Sequence, residues 1–132
     1  MNAAISFLSL QDVLNIHQST IANEGGRPGI RDIGLIESAV AMPQQAIAGE
    51  YLHPDLASMA AAYLFHLTSN HGFVDGNKRV GLSAAVVFLL ANGVTELPPE
   101  NEVQSVTYAV ASGTMTKDEL TTWLRNALGR TP

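Results

Sequence analysis

The sequence predicts an all-α protein: a compact single-domain bundle of about six to seven helices around a buried central helix. Three observations predict it. Apolar residues recur at helical spacing along most of the 132 residues. Hydrophobic side chains make up 46% of the chain and aromatic ones 6%, with Ala, Leu and Val prominent, which suits close-packed helices better than a sandwich of strands. Capping and breaking residues punctuate the apolar stretches where helices should start and stop, and no strand pair is needed anywhere.

Ser9 opens the first helix as its N-cap, and Leu10, Val13, Leu14, His17 and Ile21 recur on one face until Gly25-Gly26 ends it. Residues 25–33, GGRPGIRDI, combine three glycines with a proline and read as a loop carrying two arginines. Asp32 can cap a short helix that turns Leu35, Ile36, Ala39 and Val40 inward, and Pro43 forbids its continuation. Residues 44–51 are read as another turn or two of helix. From Pro54, suited to a first helical position, Leu56, Met59, Ala60, Tyr63, Leu64 and Leu67 mark one apolar stripe through Asn70. After a break at 71–76, the segment 77–92 is apolar nearly all round and stops at Gly93, as expected of the central helix. Pro98-Pro99 begins a further helix that ends at Gly113, and Thr116 with Glu119 forms a capping box for a last helix bearing Leu120, Trp123, Leu124 and Leu128. No repeat, low-complexity linker or composition shift marks a second domain, so residues 1–132 are read as one.

Composition excludes several functions. A formal net charge of -5 argues against a general affinity for nucleic acid or anionic lipid, so any anion site must be local. Without cysteine there is neither a disulfide framework nor a zinc–thiolate site. The start, MNAAISFLSLQD, lacks a basic region followed by a sustained apolar stretch, and the expected location is the cytoplasm. The longest apolar run, 80–91, falls short of the ~20 residues that span a bilayer, so no membrane role is expected.

The chemistry concentrates around His71. Here a helix, a tight loop and then Asn77, Lys78 and Arg79 on the first turn of the next helix follow one another, an order that builds an anion site. A first helical turn leaves backbone N–H groups unpaired and carries about half a positive charge, which favours phosphate. Gly76 lets the backbone approach closely, Arg79 offers a bidentate fork, and Lys78 adds a point charge. Asp75 makes sense there if a hard cation such as magnesium bridges it to phosphate oxygens. A neutral imidazole at His71 can take the proton from an attacking hydroxyl.

These same residues carry a family likeness: HGFVDGNKR, 71–79, resembles the HxFx(D/E)(G/A)N(G/K)R signature of Fic/Doc proteins. GGRPGIRD, LIESAV, the Ala-rich helix before the motif, FLLANG after it and the closing WL resemble its death-on-curing, or Doc-like, branch, so the likeness spans residues 7–128. The resemblance implies a Fic/Doc-type bundle with His71 as general base and Asp75 as the magnesium-binding acid. It makes Phe73 the buried anchor of the loop, places Gly76 and Asn77 in the phosphate nest, and has Lys78 and Arg79 hold phosphate oxygens. It also makes the 25–33 loop, with Arg27, Gly29, Ile30 and Arg31, a flap that aligns the target's backbone. Fic adenylyl transferases typically have Gly where this chain has Lys78 and Arg where it has Leu82. In the Doc branch those substitutions accompany an inverted nucleotide. The implied reaction is therefore transfer of the γ-phosphate of ATP to a protein hydroxyl, with elongation factor Tu as target, arrest of translation as outcome, and a Phd-type antitoxin as partner and DNA binder.

Other readings stand beside these. The same fold could transfer AMP, or survive as a catalytically inactive binding module. His66 could support His71 from one turn upstream, although His66, His17 and His53 read more simply as partly buried helical histidines. Arg27 and Arg31 fit either loop charges or a substrate role. TIANEG, 20–25, matches the (S/T)xxxE(G/N) self-inhibition pattern of some Fic proteins, but also fits an ordinary helix end.

Overall fold

The computed structural model describes residues 4–129; residues 1–3 and 130–132, the two ends of the expected 1–132 domain, lie outside the described residues. Six α-helices are present among them, in the order α1 Leu10–Glu24, α2 Ile33–Ala41, α3 Leu56–Asn70, α4 Asn77–Ala91, α5 Glu100–Ala111 and α6 Lys117–Leu128. The fold is the all-α bundle that the sequence predicts, with one local exception between α2 and α3.

That exception corrects the reading of 44–51. Pro43 sits in a 3₁₀ turn, Met42–Gln44, after which β1, Ala46–Ile47, and β2, Glu50–Tyr51, pair antiparallel instead of forming a helical turn. Ala48 and Gly49 both have positive φ (53° and 81°), as a tight two-residue hairpin loop requires. A strand pair is therefore present after all, although its four residues are all exposed and contribute nothing to the core.

Helix starts follow local chemistry. Ser9 and Asp12 form a capping box on α1, Asp32 caps α2, and Thr116 with Glu119 caps α6. On α3 the cap is Asp55, boxed with Ser58, so Pro54 precedes the cap and is not the first helical residue. Asp55 also binds Arg125 of α6 through two hydrogen bonds, 2.7 and 3.2 Å, which hold its carboxyl down to about 2 and tie the two helices together. Pro99 is the cap of α5, so that helix starts just after the Pro-Pro pair.

The core lies between α3 and α4. Ten residues of α3 are buried, four of them alanines, and the small side chains let its neighbours approach. Closest approach is at Gly81: a Cβ there would collide with Thr68 Oγ1 and lie 2.9 Å from the Leu64 carbonyl oxygen. Buried Tyr63 and Phe88 pack ring to ring at 5.1 Å, and the Tyr63 hydroxyl, pushed up to about 12 by burial, accepts from the Leu8 N–H. Burial of α4 is one-sided. Val80, Gly81, Ala84, Ala85, Phe88 and Leu89 face inward, while Val87 and Leu90 are exposed despite the helix being apolar nearly all round. Asn92 caps its far end and grips the amino-terminal segment through Ser6 N and O at 2.8 and 2.9 Å.

Candidate active site

Between α3 and α4 the chain turns sharply because His71 takes the left-handed conformation (φ 52°, ψ 46°), uncommon for a residue with a side chain. Gly72 follows where no side chain fits: a Cβ would collide with the Ile36 side chain and crowd the Asp32 carbonyl oxygen at 3.3 Å. Phe73, 2% exposed, then plunges into the core and stacks on the buried His17 ring of α1, centroids 3.9 Å apart and planes 10° apart. Asn77 closes the loop, its side-chain oxygen accepting from Phe73 N–H and its amide donating to the Phe73 carbonyl, both at 3.0 Å. His17 Nε2 donates to the Asp75 carbonyl at 2.9 Å. The loop is thus shaped by α1 on one side and by the first residue of α4 on the other.

The 25–33 segment lies against this loop as a second layer. Ile30 pairs antiparallel with Phe73, Val74 N–H donates to the Gly29 carbonyl at 3.1 Å, and the N–H groups of Arg31 and Asp32 both reach the Gly72 carbonyl, at 2.8 and 3.0 Å. The Arg31 guanidinium donates to the carbonyls of His71 (2.6 Å) and Asn70 (3.4 Å), satisfying the open end of α3. Arg27 offers its N–H to Asp75 Oδ2 at 3.0 Å. Gly26 has φ 116°, a conformation that residues with a side chain rarely adopt, and a Cβ there would also displace the ends of Asp75 and Arg79, 2.8 Å from Oδ2 and 2.9 Å from Nη2.

At the start of α4 the geometry is that of an anion site with one donor already used. Gly76 (φ 82°) is the cap, and no side chain caps this helix. The Gly76 N–H donates to Asp75 Oδ1 at 2.8 Å, so the amides open to a ligand begin at Asn77. The Asn77 side chain is committed to loop closure. Arg79 spends one N–H on the Gly25 carbonyl at 3.0 Å and keeps other donors beside the first turn. Lys78 instead rests its ammonium 4.6 Å over the ring of Tyr108 on α5. Asp75 is held below the usual carboxylate range, first by the Arg27 N–H, then by that of Gly76, with Arg79 and Arg27 charges adding. His71 is exposed at the mouth of the loop, not turned into the core.

The structure therefore gathers Asp75, Gly76, Asn77, Arg79 and the backbone of 25–27 at the start of α4, with His71 exposed at the other end of the same loop and Lys78 turned to Tyr108. His66 is not part of it: its electrostatic neighbours are Lys117 and His53, its Nε2 is buried without a hydrogen-bond partner among the described residues, and burial pushes it down to about 4. Among the described residues Glu24 makes no ion pair with Arg79, although the two line the same cleft. His17 is the residue whose importance sequence reasoning missed. The available signal was a polar side chain on the inward stripe of α1, where an unpaired imidazole would be costly.

Comparison with known proteins agrees with this geometry. The pattern of the Fic/DOC family matches residues 7–89. A protein of Escherichia phage P1 named "Protein kinase doc" is 31% identical over 122 residues, 92% of this chain and 95% of the phage protein. A protein of Mycolicibacterium smegmatis named "Toxin Doc" is 43% identical over 88 residues, 67% of this chain and 65% of that protein, so the match spans just under two thirds of the mycobacterial relative. With the motif loop, the layer of 25–33 over it and these similarities in hand, the chain belongs to the Fic/DOC family.

Proposed function

We propose that this chain is a Doc-like toxin that works in the cytoplasm by transferring the γ-phosphate of ATP to a hydroxyl of a target protein. The observation that carries the reading is the uncapped, cationic start of α4, reached by a loop whose other end is an exposed histidine. Free amides of the first turn and the spare donors of Arg79 would hold the non-bridging oxygens of the terminal phosphate, where charge collects during transfer. A ring nitrogen of His71 would take the proton of the target hydroxyl. The hydroxyl oxygen would bond to the γ-phosphorus, the bond from that phosphorus to the β–γ bridging oxygen would break, and ADP would leave. The names of the two relatives, a toxin and a protein kinase, support this reading.

The residues present fit magnesium. Asp75 stays ionised, each of its oxygens accepts only one amide N–H, and this cation is usually held by one or two carboxylates together with substrate phosphates. When bound, it would supply charge that offsets the phosphate oxygens. The same reading gives the protein a Phd-type antitoxin as partner and elongation factor Tu as target, with arrest of translation as the consequence. No helix among the described residues is long and apolar enough to cross a membrane.

The test is incubation of the purified chain with magnesium, cell lysate and ATP labelled at either the α or the γ phosphate. Label from the γ position alone is expected on one protein, which intact mass then identifies. Label from the α position alone would establish AMP transfer and overturn the reading. Equal growth arrest by the wild type and by His71→Ala would leave only a non-catalytic binding role.

A further inference from the structure

His71 holds a left-handed conformation (φ 52°, ψ 46°) that a residue with a Cβ adopts at a cost, so its surroundings must impose it. The residue that meets this need is Arg31. Its Nε donates to the His71 carbonyl at 2.6 Å, its Nη2 to the Asn70 carbonyl at 3.4 Å, and its backbone N–H to the Gly72 carbonyl at 2.8 Å. The first two carbonyls belong to the peptide planes on either side of the His71 Cα. A residue has two soft backbone dihedrals, which are the rotations of those two planes. A rigid guanidinium fork bonded to both planes therefore fixes φ and ψ together, and with them the direction in which the imidazole leaves the chain. Satisfying these carbonyls does not by itself call for an arginine, because the bonds lie at the surface, where water would serve. Among the described residues no carboxylate pairs with Arg31 to account for its charge.

We propose that Arg31 is a positioning residue for the transfer reaction: it aims the His71 imidazole at the target hydroxyl without touching nucleotide or target itself. The inference rests on the phosphate reading above and deepens it. The clamp has its own support, since Asp32, the next residue, bonds the Gly72 carbonyl through its N–H at 3.0 Å and caps α2 by accepting from the Leu35 N–H at 3.3 Å. The start of α2 thus holds the arm that holds His71. Lysine cannot take the place of Arg31. Its ammonium is a point donor on a flexible stem, able to reach one carbonyl or the other without setting the angle between their planes.

Arg31→Ala and Arg31→Lys test this at an exposed position, with circular dichroism and the urea midpoint as checks on the fold. The rate of γ-label transfer to lysate protein at saturating magnesium-ATP should fall by roughly ten- to a hundredfold in both, the cost of a reacting group misplaced by about 1 Å. Magnesium-ATP should bind both as it binds the wild type in titration calorimetry, because the start of α4 is untouched. Nuclear magnetic resonance follows the His71 backbone through its amide coupling and carbon shifts. These should leave the left-handed range in both variants while those of Asn77 stay put. If Arg31→Ala fails to fold, Arg31→Lys carries the same readings. Any of four results overturns the proposal: a rate within about twofold of the wild type in Arg31→Ala; a wild-type rate in Arg31→Lys, which would make charge and not the fork the cause; a His71 backbone that stays left-handed in both variants; or a lost rate that more lysate restores, which would make Arg31 a target contact. A wild type that transfers no label sinks the phosphate reading instead, and the resonance comparison, which needs no substrate, still decides whether Arg31 sets the geometry of His71.

Discussion

The starts of α4 and α6 answer the same physical problem in opposite ways. At α6, Thr116 accepts from the Glu119 N–H, Glu119 accepts from the Thr116 N–H, and Asp118 and Glu119 put negative charge where the helix dipole wants it. At α4 the cap is a glycine with no side chain to offer, no acid lies in the first turn, and Lys78 and Arg79 oppose the dipole. A good cap is worth about 1 kcal/mol and a well-placed terminal charge roughly 0.3–1 kcal/mol, so α4 begins on the order of 1–2 kcal/mol less favourably than it could. Helices α1, α2 and α3 are also capped by side chains, and α5, whose cap is Pro99, carries Glu100 and Glu102 in its first turn. Among the described residues one α-helix start lacks both devices, and that is the start inside the motif. Under the proposed function, the contrast teaches that local stability is given up there for donors that a phosphate would complete.

Substitutions can break or sharpen this contrast. The largest effect should come from His71→Ala, which is expected to lower phosphate transfer by about 10²–10⁴-fold while the urea midpoint stays unchanged, because the side chain is exposed. Gly72→Ala should cost roughly 1–3 kcal/mol in urea unfolding, since its methyl collides with Ile36 and moves the loop in front of α4. Thr116→Ala at the capped end should cost about 1 kcal/mol and leave transfer activity alone. Lys78→Glu should do the reverse, stabilising the fold by ~0.3–1 kcal/mol while weakening ATP by about tenfold in titration calorimetry with magnesium-ATP. If Lys78→Glu destabilises by more than the ~0.5–1 kcal/mol of its lost contact with Tyr108, the cations were never a burden on α4 and the contrast is lost.

The smallest effect concerns acid and belongs to the α6 side. Burial first, then Lys117 and His53, push His66 down to about 4 from 6.5. The folded state therefore binds fewer protons than the unfolded chain between those values, and stability falls as pH drops from about 6.5 to about 4. His66→Gln should flatten that part of a plot of urea midpoint against pH. Partial exposure keeps the change modest.

How much of this was legible in the sequence depends on the range of the interaction. Capping boxes act over three residues, so the start of α6 could be read directly, and the motif order placed His71, Asp75 and Arg79 at one helix start before any coordinates. The hairpin at 46–51 could not be read, because its strands have two residues each, none is buried, and Ala48-Gly49 is a weak turn signal beside Asn-Gly. That the Asn77 side chain is spent on Phe73, which leaves its backbone N–H as the group it can offer a phosphate, could not be read either. The contacts of Lys78 with Tyr108, and of His17 with the Asp75 carbonyl, join distant parts of the chain and leave no periodic trace.

The His17 contact has a dynamic consequence. Residues 71–76 belong to no helix, and such a connection ordinarily opens on its own, exposing its amides to solvent at little cost. Here an imidazole from α1 is stacked on Phe73 and bonded to the loop's backbone, so the segment cannot lift away unless the first helix shifts with it. Deuterium uptake at Val74 and Arg31 should therefore keep pace with the middle of α1, and a deletion that loosens that helix should soften the reactive segment far along the chain.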